Sequence, residues 1–376
     1  MTAMEVGLLP ALGSGIGDLR RAGQHSRLIE GYFVPYAEAF DAVWYFSYLP
    51  EALADYTDDP RLLTSVRLLA PQRREARLLR AVRMPWADRE TFRRCSVLRV
   101  FQITGVIPAL IARVLWGVPY VTTYGFWYAR LSRPSPNRPA KRLLERVGLQ
   151  CAAAVLVTTE ELRAHVARLT RAAVHLVPNG VDTARFAPGE RRPGTTRRVV
   201  YVGRLEPEKN LGALLAAAAT LARRMPLQVT LVGDGSLAFG LRAQAEALGV
   251  RAEFVGVVDH RRLPEHLRGA DVFVLPSLTE GHPKALIEAM AAGLPCVTSD
   301  CAGNRSLIAD GQTGLLFDPA SPEALAIALE RVLSDEELAA CLGRQARALV
   351  VRRYDLRALV GEEIRILKSV AAVPAP

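Results

Sequence analysis

The stretch VFVLPSLTEGHPKALIEAMAAGLPCVT, residues 272–298, contains a complete strand–helix–strand unit. A short apolar run, Val272–Leu275, is followed by a turn, by a helical pattern around 284–292 and by a second apolar run, Cys296–Thr298. Short apolar runs that alternate with helical patterns are typical of parallel βαβ units. The stretch therefore predicts an α/β fold built on a parallel sheet.

The same alternation extends in both directions from this unit. Between Leu49 and Glu90 the order of elements cannot be assigned from the sequence. Elsewhere, further runs with strand character lie at Glu5–Leu9, Ala42–Phe46, Val97–Gln102, Tyr120–Thr123, Ala154–Thr158, Ala173–Val177, Arg198–Val202, Gln228–Val232, Glu253–Val255 and Leu315–Phe317. Two open parallel sheets are therefore expected, and ligands of such sheets bind at the carboxyl ends of the strands.

A break in composition at 187–197, APGERRPGTTR, separates the two halves of the chain. It is rich in proline, glycine and arginine and has no apolar periodicity, which is typical of a linker. With 376 residues the chain suits two domains. We expect an N-terminal domain over 1–189 and a C-terminal domain over 190–351, with a last helix over about 352–371 that packs back on the first domain.

The segment VGRLEPEKNL, 202–211, places two cations after a strand. The strand is expected to end at Gly203, and the following loop presents Arg204 and Lys209. Arginine offers a planar fork of donors and lysine a point charge, so the pair suits a polyanionic ligand such as a diphosphate. The alternative is an ordinary solvated loop.

A second anion site is predicted at the start of the helix around 284–292. Pro283 is expected at the first helical position, where its missing N–H costs nothing. The amides of Lys284, Ala285 and Leu286 would then point out of the helix N-terminus, which favours phosphate through its donors and dipole.

Two carboxylates belong to the same segment. Glu280 precedes the helix and Glu288 lies inside it, so they are expected to serve different places in one site. A carboxylate can accept hydrogen bonds from both hydroxyls of a ribose. The alternative makes Glu280 a helix cap and Glu288 a surface residue, although the apolar neighbours of Glu288 make an unpaired charge expensive there.

These segments, taken in order, resemble a known family. VGRLEPEKNL, EGHPKALIE (280–288) and DGQTGLLFDP (310–319), together with VPNGVDTARFAP (177–188), are similar to the family 4 retaining glycosyltransferases of the GT-B fold. That resemblance implies two facing Rossmann-like domains with a cleft between them, the first binding the acceptor and the second the nucleotide-sugar. It also implies front-face displacement without a covalent enzyme intermediate, a metal or a cofactor.

The resemblance implies a role for each matching residue. Glu280 would lie beside the donor sugar, while Arg204 and Lys209 would neutralise the leaving diphosphate; these three are the candidate catalytic residues. Glu288 would bind the ribose and Gly256 would line the base. The remaining candidate donor-binding residues are Gly15, His282, Pro283, Lys284, Ala285 and Leu286.

The chain departs from the family pattern at Tyr124 and at AGNRS, which ends in Ser306 where members often carry a glutamate. Members commonly carry a histidine where this chain has Tyr124, in TTYGFWY, which can make a hydrogen bond but offers no imidazole. We expect Tyr124 to contact the acceptor or the sugar. GSGIG, 13–17, lacks the third glycine of a dinucleotide fingerprint, because Asp18 follows. Gly13, Gly15 and Gly17 are expected to let the backbone approach the donor or the acceptor, with a tight turn as the alternative.

The net charge of +10 is concentrated in one segment. Residues 61–99 hold 11 arginines against three acidic residues. A helix over 73–84 would align Arg73, Arg77, Arg80 and Arg83 in one basic stripe, with leucines and a valine beside it. Such a helix is expected to meet an anionic membrane surface or a lipid-linked acceptor. The alternative is an amphipathic helix packed on its own domain.

Composition excludes several classes of protein. The apolar run from Val100 to Ala112 is shorter than the ~20 residues of a membrane span. Five cysteines without C-x-x-C spacing argue against a disulfide framework or a zinc site. Residues 61–99 contain few aromatics, so no nucleic-acid partner is expected. A cytoplasmic protein is predicted, with peripheral attachment to the inner face of the membrane as a further expectation.

The function expected from these features is retaining transfer of a hexose from a nucleotide-diphosphate sugar, with uridine preferred to guanosine as the base. The acceptor would be a saccharide or a lipid-linked sugar in the synthesis of a cell-surface polysaccharide or glycolipid. Because a fold does not determine a reaction, two alternatives stay open. They are a nucleotide-sugar epimerase or hydrolase on the same scaffold, and a catalytically impaired sugar-nucleotide binder.

Overall fold

The chain forms two compact units. The computed structural model describes residues 3–126, 138–189 and 195–372. The N-terminal unit comprises residues 1–178 and 357–376, and the C-terminal unit comprises Asn179–Leu356. The division falls after Pro178, whereas the sequence suggested a boundary after residue 189. The composition break at 187–197 includes residues 190–194, which lie outside the described residues.

The N-terminal unit is built on a parallel sheet. Its strands are β1 (Glu5–Leu9), β2 (Ala42–Phe46), β3 (Val66–Leu69), β4 (Val97–Val100), β5 (Tyr120–Tyr124), β6 (Ala154–Val157) and β7 (Ala173–Leu176). They are ordered β3-β2-β1-β4-β5-β6-β7, so Val6 pairs with Val43 on one side and with Val97 on the other. Every residue of β1 and β4 is buried, as expected for central strands covered by helices on both faces.

The connections of this sheet are helical. The α-helices span Ile16–Arg21, His25–Leu28, Val34–Ala39, Pro60–Ser65, Arg77–Ala87, Arg89–Arg94, Ile107–Trp116, Arg138–Gln150, Glu160–Val166 and Leu356–Ala371. A π-helical turn at Ile29–Phe33 and 3₁₀ turns at Leu53–Asp55 and Ile103–Gly105 complete the set.

The last helix is held in the N-terminal unit by a buried ion pair. Arg99, in β4, donates from Nε and Nη2 to the carboxylate of Glu363, at 2.7 and 3.0 Å, and Tyr36 donates to the same carboxylate. Both charged side chains are almost fully buried. Arg99 also donates to Thr123 Oγ1 at 2.8 Å, so its guanidinium is well supplied with acceptors.

The C-terminal unit carries a second parallel sheet. Its strands are β8 (Arg197–Val202), β9 (Leu227–Val232), β10 (Ala252–Gly256), β11 (Val272–Leu275), β12 (Cys296–Ser299) and β13 (Leu315–Phe317), in the order β10-β9-β8-β11-β12-β13. Its α-helices span Leu211–Ala222, Ala238–Ala247, Leu263–Arg268, Lys284–Ala291, Ala302–Arg305, Pro322–Ser334 and Glu336–Arg353, with a 3₁₀ turn at Pro207–Lys209.

The predicted α/β class with two parallel-sheet domains is confirmed. In each sheet the order of the strands reverses at one point. This point lies between β1 and β4 in the first sheet and between β8 and β11 in the second. In open parallel sheets ligands bind at such points, outside the carboxyl ends of the strands. The loops that leave β8 and β11 are those that the sequence singled out.

Candidate functional site

The centre of the candidate site is an ion pair between those two loops. Lys209 Nζ lies 2.5 Å from Glu280 Oε1, and both side chains are largely buried. Lys209 closes the 3₁₀ turn after β8, while Glu280 precedes the helix after β11. The backbone joins the loops as well, since Leu278 N donates to Glu208 O at 2.8 Å. The structure thus brings together two predicted residues that are far apart in sequence.

Arg204 lies in the same loop but remains at the surface. Its guanidinium pairs with Glu208 at 2.7 Å, and 70% of its side chain is exposed. Its backbone carbonyl accepts a hydrogen bond from the Tyr201 hydroxyl at 2.8 Å, which fixes the loop. An exposed guanidinium on an anchored backbone can turn toward an anion at little cost, since exposed ion pairs are weak.

The helix Lys284–Ala291 starts one residue later than predicted. Pro283 is its N-cap, with extended backbone (φ −71°, ψ 113°), and it is not the first helical residue. The first-turn amides of Lys284, Ala285 and Leu286 have no acceptor one turn earlier in the helix. They point out of the end of the helix that Glu280 precedes, which is where the sequence predicts an anion site.

His282 is buried beside this helix start. Its ring packs at a tilt against that of Tyr354, with centroids 5.4 Å apart, and its carbonyl accepts a hydrogen bond from Asn179 Nδ2 at 2.7 Å. Burial lowers the pKa of His282 to about 3, so the imidazole is neutral at physiological pH. The residue therefore supplies shape and hydrogen bonding to the site, and no positive charge.

Glu288 is buried and has a partner that sequence reasoning missed. His260 Nε2 lies 2.9 Å from Glu288 Oε1, and both side chains are about 5% exposed. His260 also stacks against Phe186, with centroids 5.1 Å apart. The interpretation of Glu288 as a surface residue is thus wrong. Nothing in DHRRL, 259–263, links His260 to a glutamate 28 positions later in the sequence.

Gly256 closes β10 beside the loop after β9. Its backbone has a positive φ of 78°, and its carbonyl accepts a hydrogen bond from Gly233 N at 2.8 Å. A side chain at Gly256 would meet nothing within 4 Å, so open space lies next to this backbone. That arrangement is compatible with a flat ring packed on Gly256.

Comparisons with known families cover most of the chain. Residues 182–349 match the family model of glycosyl transferases group 1, and residues 19–180 match the glycosyl transferase 4-like domain. The α-D-kanosaminyltransferase of Streptomyces kanamyceticus is 32% identical over 67% of this chain and 70% of its own length. The chain belongs to the family 4 glycosyltransferases.

Two further relatives have names that state what those proteins act on. A phosphatidyl-myo-inositol mannosyltransferase from Mycolicibacterium smegmatis is 37% identical over 52% of each chain. A UDP-Gal:α-D-GlcNAc-diphosphoundecaprenol α-1,3-galactosyltransferase from Escherichia coli is 28% identical over 67% of this chain and 70% of its own. The chain spans about half the length of the mycobacterial relatives that it matches.

Solved structures confirm the GT-B fold of this glycosyltransferase. Sucrose-phosphate synthase from Thermosynechococcus elongatus superimposes with a TM-score of 0.81, at 22% identity, over 98% of this chain and 99% of its own. Anabaena HepE in complex with UDP-glucose gives a TM-score of 0.78, at 18% identity, over 97% of this chain and 100% of its own. At these identities the likeness concerns the fold.

In the N-terminal unit of this glycosyltransferase, Gly15 has a different environment from the one predicted. The backbone amides of Ile16 and Gly17 donate to the two carboxylate oxygens of Glu51, at 2.9 and 2.8 Å. A Cβ at Gly15 would lie 2.5 Å from Glu51 Oε1 and 2.6 Å from Ser47 Oγ. The glycines thus let the backbone approach an internal carboxylate, and the expectation that Gly15 binds the donor is not supported by this structure.

Tyr124 is likewise placed away from solvent. It ends β5, its ring is fully buried, and its hydroxyl donates to Glu145, which is itself buried. The phenol is therefore occupied inside the unit, so the expected contact with an acceptor or sugar is not supported. The ring of His165 packs against Tyr124 at 6.1 Å, and burial lowers the pKa of this histidine.

The basic stripe predicted over 73–84 is broken in the structure. The helix spans Arg77–Ala87, so Arg73 precedes it. Arg80 points inward, is 5% exposed and pairs with Asp88 at 3.3 Å. The solvent-exposed side chains of the helix include the large apolar residues Leu78, Leu79, Val82 and Trp86, which are 46–57% exposed.

The described ranges contain no candidate for a metal centre. No group of three or more histidine, cysteine, aspartate or glutamate side chains within them is arranged to hold an ion. Within the same ranges, no helix combines the length and the apolar character that a membrane span requires.

Proposed function

We propose that this protein transfers a hexose from a UDP-sugar to a saccharide or lipid-linked acceptor, with retention of configuration and without a metal, in the synthesis of a cell-surface polysaccharide or glycolipid. The observation that carries the proposal is the Lys209–Glu280 pair at the carboxyl ends of β8 and β11, next to the helix that starts at Lys284. Uridine is supported by the relative from Escherichia coli, whose name includes UDP-Gal, and by HepE, which shares the fold and was solved with UDP-glucose bound.

The chemistry follows from the charges at this site. When the bond between the anomeric carbon and the diphosphate breaks, negative charge grows on the diphosphate. Lys209, Arg204 and the N-terminal end of helix Lys284–Ala291 stabilise that charge more in the transition state than in the bound substrate. Glu280 keeps the ammonium of Lys209 in place and presents its carboxylate at the developing positive charge of the sugar.

The test of metal independence is turnover in EDTA. With a panel of UDP- and GDP-hexoses, a UDP-sugar should be consumed at an unchanged rate after chelation, because the fixed cations already supply the positive potential. Release of the nucleoside diphosphate measures this directly. A strict need for Mn²⁺ or Mg²⁺ would contradict the proposed mechanism. Tight binding of the UDP-sugar without turnover would favour the alternative of a catalytically impaired binder. The burial of Tyr124 is the observation that favours this alternative.

Substitutions of Glu280 and Glu288 should affect different kinetic constants. Glu288→Gln should raise the donor KM about tenfold or more with little change in kcat, because it weakens a charge-assisted contact made alike in ground and transition states. Glu280→Gln should instead lower kcat by on the order of 10²-fold, since its charge acts on the reacting centre. Steady-state kinetics with saturating acceptor decide the matter, and the reverse pattern would exchange the two roles.

We also infer that the helix Arg77–Ala87 attaches the enzyme to an anionic membrane surface. Four large apolar side chains of this helix are each roughly half exposed to solvent: Leu78, Leu79, Val82 and Trp86. Burying such groups in an interface is favourable by about 25 cal/mol per Å² of apolar surface. The exposed arginines of 61–99, which do not include the buried Arg80 and Arg99, add attraction to anionic lipid, at about 1 kcal/mol for each one near the surface.

Co-sedimentation with vesicles tests this attachment. At low salt the protein should bind vesicles that contain phosphatidylglycerol, and high salt should weaken the binding by screening. Leu79→Ser combined with Trp86→Ser should reduce binding severalfold. Ile327→Ser, which removes an apolar side chain that is 67% exposed from the C-terminal unit, serves as control. Binding that ignores both salt and the double substitution would refute the attachment.

A further inference from the structure

A small cavity opens at the carboxyl ends of β1, β2 and β3 in the N-terminal unit. Its volume is about 310 Å³, and its lining includes Gly13, Tyr48, Arg74, Glu75 and Arg77. The residues come from the loops that follow these three strands. Because ligands of open parallel sheets bind at this edge, the cavity is placed where a substrate is expected.

Tyr48 lines this cavity and carries a buried hydroxyl that is unsatisfied. The residue is 3% exposed, and its hydroxyl has no hydrogen-bond partner among the described residues. Burial raises the pKa of the phenol well above its usual value, so the group stays protonated and can donate. A buried hydroxyl without a partner is unfavourable, and a bound acceptor atom would satisfy it.

The surroundings of Tyr48 are positively charged. The cavity is lined by two arginines, Arg74 and Arg77, and by one carboxylate, that of Glu75. Glu75 Oε2 lies 3.9 Å from Arg83 Nη1. The charge of the buried Arg80 guanidinium lowers the pKa of Tyr48, which opposes the larger effect of burial. The Nε atom of Arg80 has no hydrogen-bond partner among the described residues. An anion placed in the cavity would thus meet more positive than negative charge.

The helix Arg77–Ala87 adds its dipole to these charges. Arg77 is its first residue, and no side chain in the described part of the protein caps this end. The first-turn amides and the positive end of the dipole favour an anion there. This helix has eleven residues, so its macrodipole is well developed.

Gly13 permits the close packing that shapes the cavity. Its backbone has a φ of +81°, and a Cβ at this position would lie 2.9 Å from Arg77 Cβ. The glycine-rich loop therefore lies directly against the start of the helix. One of the three glycines that the sequence singled out thus serves this cavity.

We propose that the cavity binds a phosphate group of the acceptor, with Arg74 and Arg77 as ionic partners and Tyr48 as a hydrogen-bond donor. This rests on the proposed function, in which the N-terminal unit holds the acceptor. Paired guanidinium groups and a protonated phenol match the tetrahedral oxygens of phosphate. The volume also admits part of the alcohol that carries the phosphate. The exposed apolar side chains of the same helix suit an acceptor whose phosphate is attached to a lipid.

Titration of the whole protein with inorganic phosphate tests the site through ring-¹³C-tyrosine NMR. Tyr48→Phe identifies the signal of Tyr48. That signal should shift saturably, and Arg74→Gln and Arg77→Gln should each weaken the binding at least tenfold. Arg93→Gln, which removes an exposed arginine elsewhere in 61–99, should leave the affinity unchanged. An unmoved Tyr48 signal, or wild-type affinity in the Arg74→Gln/Arg77→Gln protein, would overturn the proposal.

Two comparison ligands complete the design. Acetate should bind at least tenfold more weakly than phosphate, and equal binding would overturn the assignment to phosphate. Dihexanoyl phosphatidic acid distinguishes a lipid-linked acceptor from a soluble phosphorylated one. If it binds more tightly than phosphate, and Leu79→Ser removes this advantage, the acceptor is lipid-linked. If it binds as tightly as phosphate, the acceptor is soluble. Since the readout needs no turnover, failure of sugar transfer with phosphate binding intact would count against the proposed function alone.

Discussion

Lys209→Ala is expected to lower kcat by on the order of 10²–10³-fold while changing the affinity for the UDP-sugar far less. The ammonium is held at 2.5 Å from Glu280 in a largely buried position, so it needs no reorganisation when charge develops on the diphosphate. A preorganised charge that acts mainly in the transition state appears in kcat. Arg204→Ala should act in the same direction but less strongly, because its guanidinium is mostly exposed.

Lys141→Ala provides the matched control, since this lysine is exposed on the helix Arg138–Gln150 of the N-terminal unit. It should retain wild-type kinetics. Circular dichroism and thermal unfolding show whether Lys209→Ala remains folded, which separates a catalytic loss from a structural one. Wild-type turnover in both Lys209→Ala and Arg204→Ala would show that the site is misassigned.

Arg99→Ala is expected to lower the free energy of unfolding by about 3–5 kcal/mol. The substitution leaves the buried carboxylate of Glu363 without its charged partner, with only the Tyr36 hydroxyl still donating to it. Because Glu363 belongs to the helix Leu356–Ala371, the loss should loosen that helix from the rest of the N-terminal unit. Urea denaturation followed by circular dichroism measures the change.

An exposed pair in the same helix supplies the control for this stability effect. Arg365 pairs with Glu362 at the surface, with 74% of the arginine side chain exposed, so Arg365→Ala should cost less than about 1 kcal/mol. Replacing both buried partners, as Arg99→Met with Glu363→Leu, should recover much of the stability lost in Arg99→Ala. Equal effects of Arg99→Ala and Arg365→Ala would contradict the role given to the buried pair.

Most strands could be predicted because they are buried on both faces. Runs such as Val272–Leu275 and Ala42–Phe46 are continuous, apolar and bounded by turns, and the structure has them with the same ends. β3 was missed for the opposite reason. It is a four-residue edge strand, VRLL, with Arg67 exposed and packed over the ring of Trp44. Its sequence carries neither a long apolar run nor a clear alternation.

The site was only partly predictable from the sequence. The cations and carboxylates after β8 and β11 stand in recognisable segments, so their residue types indicated the chemistry. Which of these residues pair with each other could not be predicted. The order of the strands brings Lys209 to Glu280 and His260 to Glu288, although the partners are distant in sequence. Glu51, which binds the amides of the glycine-rich loop, lies 35 positions from Ile16 and carries no local signal.

The basic stripe predicted over 73–84 is absent from the described helix for a related reason. A three-to-four spacing of arginines predicts a helical stripe but does not say which side of the helix faces the sheet. Arg80 is buried because Asp88, eight positions later, supplies an acceptor at 3.3 Å. The helix can therefore turn its leucines outward, an arrangement that the charge pattern alone did not indicate.

The most direct test of the account is the configuration of the product formed from a UDP-hexose in the presence of EDTA. Early-time ¹H NMR of the new linkage, run with wild-type protein and with Lys209→Ala, reports both transfer and stereochemistry. The account predicts a glycoside with the anomeric configuration of the donor from the wild-type protein and almost none from Lys209→Ala. An inverted linkage, or free sugar as the sole product, would contradict it.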